Sequence, residues 1–246
     1  TFVSNGDGIS NQIENDLRAD MGGFMHPKEG TYSGRRTAPL SVTPAIAMLP
    51  SEVGRDLLVC LKMSNAGRDQ ALATREFSQY DLMHMNFFLD ISELSMSKKY
   101  TYQGSFNIAM DFIKHAPEEE RARRARLFIE ASKSMNDYAN QARNAISGEP
   151  QEVLIVLDTV LSRKAIRYYT AGEQERKNIL AELDKRGAKY FIGDDKSEYS
   201  VAQAYEDAMK ELANSTLYDP SNGSNPISFE DAFGNDATLE EEQDED

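Results

Sequence analysis

From Leu217 onward the chain carries ten carboxylates and no Lys or Arg: Asp219, Glu230, Asp231, Asp236, Glu240, Glu241, Glu242, Asp244, Glu245 and Asp246. With Ile227, Phe229 and Phe233 as its apolar anchors, such a stretch buries too little surface to offset its ordering entropy. Residues 217–246 are therefore expected to form a disordered acidic tail, and any core must come from the residues before it. The whole chain has 41 acids against 27 bases, a formal charge of −14. Without the ten tail acids, 31 acids face the same 27 bases, so residues 1–216 are nearly balanced at −4. Most of the charge sits in the tail, and an uneven distribution of this kind points to a charged partner surface.

The remaining chain divides into an entry segment and a body. Residues 1–38 are rich in Gly, Asn, Ser and Asp, with a short helix expected between Ile9 and Met21, and read as a flexible N-terminal arm. Pro39, Pro44 and Pro50 punctuate an apolar stretch that suits either an extended strand or a packed loop. Residues 53–63 fit a buried helix or a strand equally well. Phe77, Tyr80, His84, Phe87 and Ile91 recur at steps of three and four, which predicts one face of a helix. Phe106, Met110 and Ile113 predict another over Ser105–His115.

The clearest helical signal runs from Pro117 to Ser147. Pro117 suits a helix start, and Glu118, Glu119 and Glu120 sit where the dipole favours negative charge. Ala125, Phe128, Ala131, Met135, Tyr138, Ala142 and Ala145 form its apolar stripe, and Gly148 and Pro150 end it. A helix is also expected over Pro150–Ala171, although Val153–Leu157 alone fits a buried strand. Glu173–Arg186 is closed by Gly187, and Ser200–Ala213 opens on a capping box formed by Ser200 and Gln203. Tyr190–Ile192 suits a short strand. The expected fold is mainly α: an irregular helical bundle over residues 39–216 with one or two short strands.

Catalytic signatures are missing. The chain has no phosphate-binding G-x-x-x-x-G-K-[ST], no G-x-G-x-x-G, no G-x-S-x-G and no H-E-x-x-H. Its single cysteine, Cys60, excludes an internal disulfide and a cysteine zinc site. An N-terminal run through Asn5, Asp7, Gly8 and Glu14 fits part of a calcium loop, but Val3 stands where the first carboxylate belongs. The three histidines are scattered, and His84 on its apolar stripe reads as a core or boundary residue. These features predict neither an enzyme, a cofactor nor a metal site.

Two binding constellations stand out instead. Arg121, Arg123, Arg124 and Arg126 cluster on one expected helix, and Arg163, Lys164 and Arg167 on the next, beside Tyr168 and Tyr169. Guanidinium groups with tyrosines can grip phosphates and stack bases, whereas the plain alternative is a solvated face paired with Glu118–Glu120. In the tail, Phe229 and Phe233 stand four apart, as a short helix docking on a partner would place them. The expected function is a non-enzymatic interaction or assembly protein with an acidic regulatory tail and a protein partner. The alternative is a single-stranded DNA- or RNA-binding protein whose tail competes with its ligand. In charge layout alone this resembles viral and phage single-strand-binding or scaffolding proteins with acidic tails. No run of 18 apolar residues spans a membrane and the N-terminus lacks the regions of a signal peptide. The expected compartment is the cytoplasm, or the host cytoplasm or virion for a viral chain. Oligomeric state is not legible in the sequence.

Overall fold

Gly104 and Ser105 lie between two runs that alternate in character, and this pattern proves stronger than the helical spacing beside it. In the computed structural model, Met96–Gln103 and Phe106–Lys114 are the arms of an antiparallel hairpin, pairing from Met96↔Lys114 to Gln103↔Phe106 with an irregularity at Thr101/Tyr102. Gly104 takes φ +60° in the two-residue turn, a conformation that a side chain would strain. The structure describes residues 13–26, 34–50, 54–58, 61–64, 67–70, 74–78, 81–135 and 148–233.

In chain order the elements are α1 (Leu17–Gly22), β1 (Phe24–His26), β2 (Gly34–Arg36), β3 (Leu40–Val42), β4 (Ile46–Ala47), β5 (Gly54–Leu58), β6 (Leu61–Ser64), β7 (Gly67–Gln70), β8 (Thr74–Ser78), β9 (Met83–His84) and β10 (Phe87–Leu89). They continue with β11 (Met96–Gln103), β12 (Phe106–Lys114), α2 (Glu118–Lys133), β13 (Glu152–Leu157), a 3₁₀ turn (Lys164–Thr170), α3 (Glu173–Arg186), β14 (Lys189–Asp194), α4 (Val201–Asn214) and α5 (Phe229–Phe233). Among the described residues the strands make seven two-stranded pairings. The protein is thus an α/β mix, and the expected mainly α bundle is overturned.

The chain forms two units, one of residues 42–86 and one of residues 1–41 with 87–246. The smaller is a nested antiparallel ribbon in which β4 pairs with β9, β5 with β8 and β6 with β7. The residues once read as a helical face fall apart here: Phe77 lies in β8, His84 in β9, Phe87 in β10 and Ile91 in a turn. Tyr80 and Cys60 lie outside the described residues. The pairing shifts register between β4·β9, β5·β8 and β6·β7, which breaks the period-two pattern that marks a strand in sequence. The segment 53–63 resolves as strand where it is described.

In the larger unit, β13 and β14 pair in unbroken register from Glu152↔Asp194 to Leu157↔Lys189. The expected helix over Pro150–Ala171 is therefore a strand followed by a short 3₁₀ turn. Val153, Ile155 and Leu157 alternate along β13 and pack against Ile129, Val201 and Tyr205 of α2 and α4. Gly193 of β14 lets α4 approach closely: a β-carbon there would lie 2.8 Å from that of Ala204. Helix α3 ends at Gly187, which takes the left-handed conformation, and Ser200 Oγ accepts from the Gln203 N–H at 3.2 Å to start α4. A second cluster gathers Met21, Leu94, Ala125 and Leu217, and Phe128 and Leu212 pack against both.

Two further expectations change. The described part of the N-terminal arm is built into the core, with Ile13, Asp20 and Met21 buried. The tail also begins as structure. Leu217 is buried, the Ile227 N–H donates to the Lys114 carbonyl, and Phe229 meets Phe24 edge-on at 6.4 Å. The physical reason is uneven charge: seven of the ten acids lie in 234–246, and 217–233 holds only Asp219, Glu230 and Asp231. Helix α2 is described to Lys133; residues 136–147 of the expected long helix, and the calcium-like run before Ile13, lie outside the described residues.

Candidate functional site

The first half of the basic constellation is split by the geometry of α2. Successive helical residues are about 100° apart, so Arg121 and Arg124 share one face while Arg123 and Arg126 share another. The first pair faces the core. Arg121, with none of its surface exposed, donates to the carbonyls of Ile91 (2.9 Å), Leu94 (3.0 Å) and Tyr218 (2.9 Å) and to Glu118. Arg124 donates to the Ile13 and Glu14 carbonyls, to Glu120 and to Asp20 at 2.7 Å.

Asp20 is the anion at the centre of this hub. It is fully buried and accepts from Arg124, from Arg36 at 2.5 Å, and from the Ser95 N–H and hydroxyl at 2.9 and 2.7 Å. Arg36 also donates to the Asp20, Glu93 and Met96 carbonyls. Three guanidinium groups thus satisfy eight backbone carbonyls in turns and segment ends that no sheet or helix partner reaches. A planar five-donor cation suits this task where lysine would not.

The other candidate bases each have a partner. Arg123 bonds Glu120 at 2.6 Å and Arg126 bonds Glu130 at 2.8 Å. The Arg123 hydrogen bond, opposed by burial and helped by Arg124, holds the Glu120 carboxyl down at about 2. Arg163 stacks over the Phe88 ring at 4.5 Å and reaches Ser41, Lys164 pairs with Glu182, and Arg167 lies 3.4 Å from Glu175. Arg176 covers Tyr168, whose ring also meets Tyr169 edge-on.

Phe229 likewise packs inward, against Phe24 and, at 5.8 Å, the His115 ring. The Phe233 side chain lies outside the described residues. His115 Nδ1 lies 2.9 Å from the Ile227 carbonyl, which can only accept, so Nδ1 carries the proton and Nε2 accepts from Ser97. Burial pushes His115 down to about 4, against the Ile227 bond. Next to it Lys114 pairs with Asp219 at 2.5 Å; burial works to raise that carboxyl, but Lys114 and Ser221 hold it at about 2.

What sequence reasoning missed lies on the β11·β12 hairpin. Tyr100, Tyr102, Phe106, Ile108 and Met110 are all exposed, Tyr102 at 62% and Phe106 at 76%. Neither strand has a further pairing partner among the described residues. The alternation Phe106, Ile108, Met110, Phe112 after a Gly-Ser pair is the signal that could have revealed it. A second apolar surface occurs on the ribbon of residues 42–86, where Ile46, Met48, Leu49, Leu82 and Met83 are exposed around the β4·β9 pairing. His84 in that ribbon lies 2.9 Å from the Asn86 amide.

Among the described residues no His, Cys, Asp and Glu group is arranged to hold a metal, and no helix is long and apolar enough to cross a membrane. The architecture defines an α/β chain whose uncovered surfaces are β-ribbons. Compared with known proteins, it matches no family model, no curated protein and no solved structure.

Proposed function

We propose that this chain is a non-enzymatic assembly protein that engages a protein partner through the β11·β12 hairpin. The observation that carries this reading is the set of five large apolar side chains exposed on one uncovered hairpin. Aromatic side chains offer about 150–250 Å² each, so five partly exposed groups present on the order of 500 Å². A contiguous apolar area of that size on a protein surface commonly marks an interaction site. Tyrosines suit such a role, since a rigid ring gives contact area at low entropic cost while its hydroxyl stays hydrated. The seven carboxylates of residues 234–246 add a charged element suited to steering a partner rather than to chemistry.

Single-strand binding through the basic clusters has less support and is not carried forward. Arg121 and Arg124 are committed to the core, and the remaining five bases have acidic, hydroxyl or aromatic partners.

The reading is tested by placing a photo-crosslinking side chain at Phe106 of the full chain in cells, with Arg126 as the exposed control position. Protein adducts are expected from position 106 and not from 126. Absence of any protein adduct at 106 would refute the reading.

A further inference from the structure

Resting on that reading, the two uncovered surfaces can be considered together. The hairpin presents Tyr100, Tyr102, Phe106, Ile108 and Met110, and the ribbon presents Ile46, Met48, Leu49, Leu82 and Met83. Both sit on two-stranded β structure whose outer edges have no partner among the described residues. Such edges pair readily with another chain. The two surfaces are also similar in size: about 500 Å² for the aromatic hairpin and about 400 Å² for the aliphatic ribbon, from the same side-chain areas. Joined, they approach the roughly 1,000 Å² total that a specific interface requires, before backbone and rim are counted.

Charge selects between ways of joining them. Residues 96–113 carry Lys98, Lys99 and Asp111, a net +1, whereas residues 42–50 and 81–86 carry only Asp81, a net −1 with His84 neutral. Hairpin against hairpin would bring four lysines together, and ribbon against ribbon would oppose two aspartates. Hairpin against ribbon pairs opposite signs.

We propose that the hairpin of one copy of this chain docks on the ribbon of a second copy, so that copies add head to tail. A contact between two different surfaces is heterologous. It therefore closes into a ring or extends as a filament, and does not stop at a symmetric dimer.

Sedimentation velocity and light scattering of the purified full chain test this through complementation. The wild type forms oligomers larger than a dimer, in proportions that rise with concentration. Phe106→Asp and Leu49→Asp each weaken self-association by about a hundredfold or more, because a charge is buried at the centre of an apolar contact. Both positions are about three-quarters exposed, so the thermal midpoints of the variants stay at the wild-type value. Mixed in equal amounts, the two variants form a 1:1 dimer and nothing larger: the first keeps a sound ribbon, the second a sound hairpin.

A mixture that stays monomeric beside an oligomeric wild type would overturn the head-to-tail contact in favour of like surfaces pairing. A wild type that is monomeric at hundreds of micromolar also overturns it. If position 106 still crosslinks to another protein in cells, the assembly reading survives that failure; if it crosslinks to none, both fall. Flotation with phosphatidylcholine vesicles, lost in Phe106→Asp, would assign the hairpin to lipid and overturn the proposal.

Discussion

Replacing Asp20 by Asn keeps the shape of the side chain and removes its charge, so it isolates what the carboxylate does in the buried hub. One carboxyl oxygen accepts from Arg36 and the Ser95 N–H, the other from Arg124 and the Ser95 hydroxyl. Either orientation of the Asn amide turns an N–H₂ group toward one of the two guanidinium groups. One charge-assisted bond becomes a donor–donor clash and the other weakens, which leaves two buried cations short of an anion. Removing one partner of a buried ion pair costs about 3–5 kcal/mol. With a urea slope of about 2–3 kcal/mol per molar, the unfolding midpoint should fall by about 1.5 M. The chain has eleven tyrosines and no tryptophan, so tyrosine fluorescence and circular dichroism report the transition. The loss should extend to amide protection in residues 91–96 and 118–133, since Arg121 and Arg124 tie those segments together. A midpoint shift equivalent to less than about 1 kcal/mol would refute the argument that this carboxylate holds the hub.

Three other outcomes follow from the same structure. Gly193→Ala places a β-carbon 2.8 Å from Ala204 Cβ and Val201 Cα, so β14 must retreat from α4 at a cost of about 1–3 kcal/mol. A thermal midpoint lowered by about 5 °C is expected, while Gly22→Ala, with open space around it, leaves the midpoint in place. His115 is held at about 4 when folded and lies near 6.5 unfolded, so the unfolded state binds more protons between these values. Stability should therefore decline as pH falls from about 6.5 to about 4, by about 2–3 kcal/mol, and His115→Asn should flatten this part of the curve. Ending the chain at Thr216 removes Asp219 from Lys114 and the Tyr218 carbonyl from Arg121. A clear loss of thermal stability is expected, and an unchanged midpoint would show that residues 217–233 contribute nothing to the body.

Helices α3 and α4 were legible in the sequence because their signals are local. Gly187 supplies a left-handed C-terminus to α3, and Ser200 and Gln203 form the start of α4 within four residues. The start of α2 at Pro117 and its acidic first turn were legible for the same reason. By contrast, Phe77, His84 and Phe87 matched a helical period yet lie in three strands, whose partners are set by residues far away in the chain. A spacing of three and four is a property of one segment, whereas a strand pairing is a property of two.

The guanidinium hub was the least legible feature. Arg121 and Arg124 look in sequence like two members of a surface cluster, and nothing within α2 distinguishes them from Arg123 and Arg126. Their role depends on carbonyls from Ile13, Glu14, Ile91, Leu94 and Tyr218 converging on one face of the helix. Composition alone determined that charge is unevenly distributed and that residues 234–246 are almost wholly acidic. Only the tertiary structure decided which arginines are buried, that residues 217–233 belong to the body, and that a hairpin rich in apolar side chains is left uncovered. The reason is that burial and hydrogen-bond satisfaction are set by which segments meet, and those meetings join residues up to a hundred positions apart.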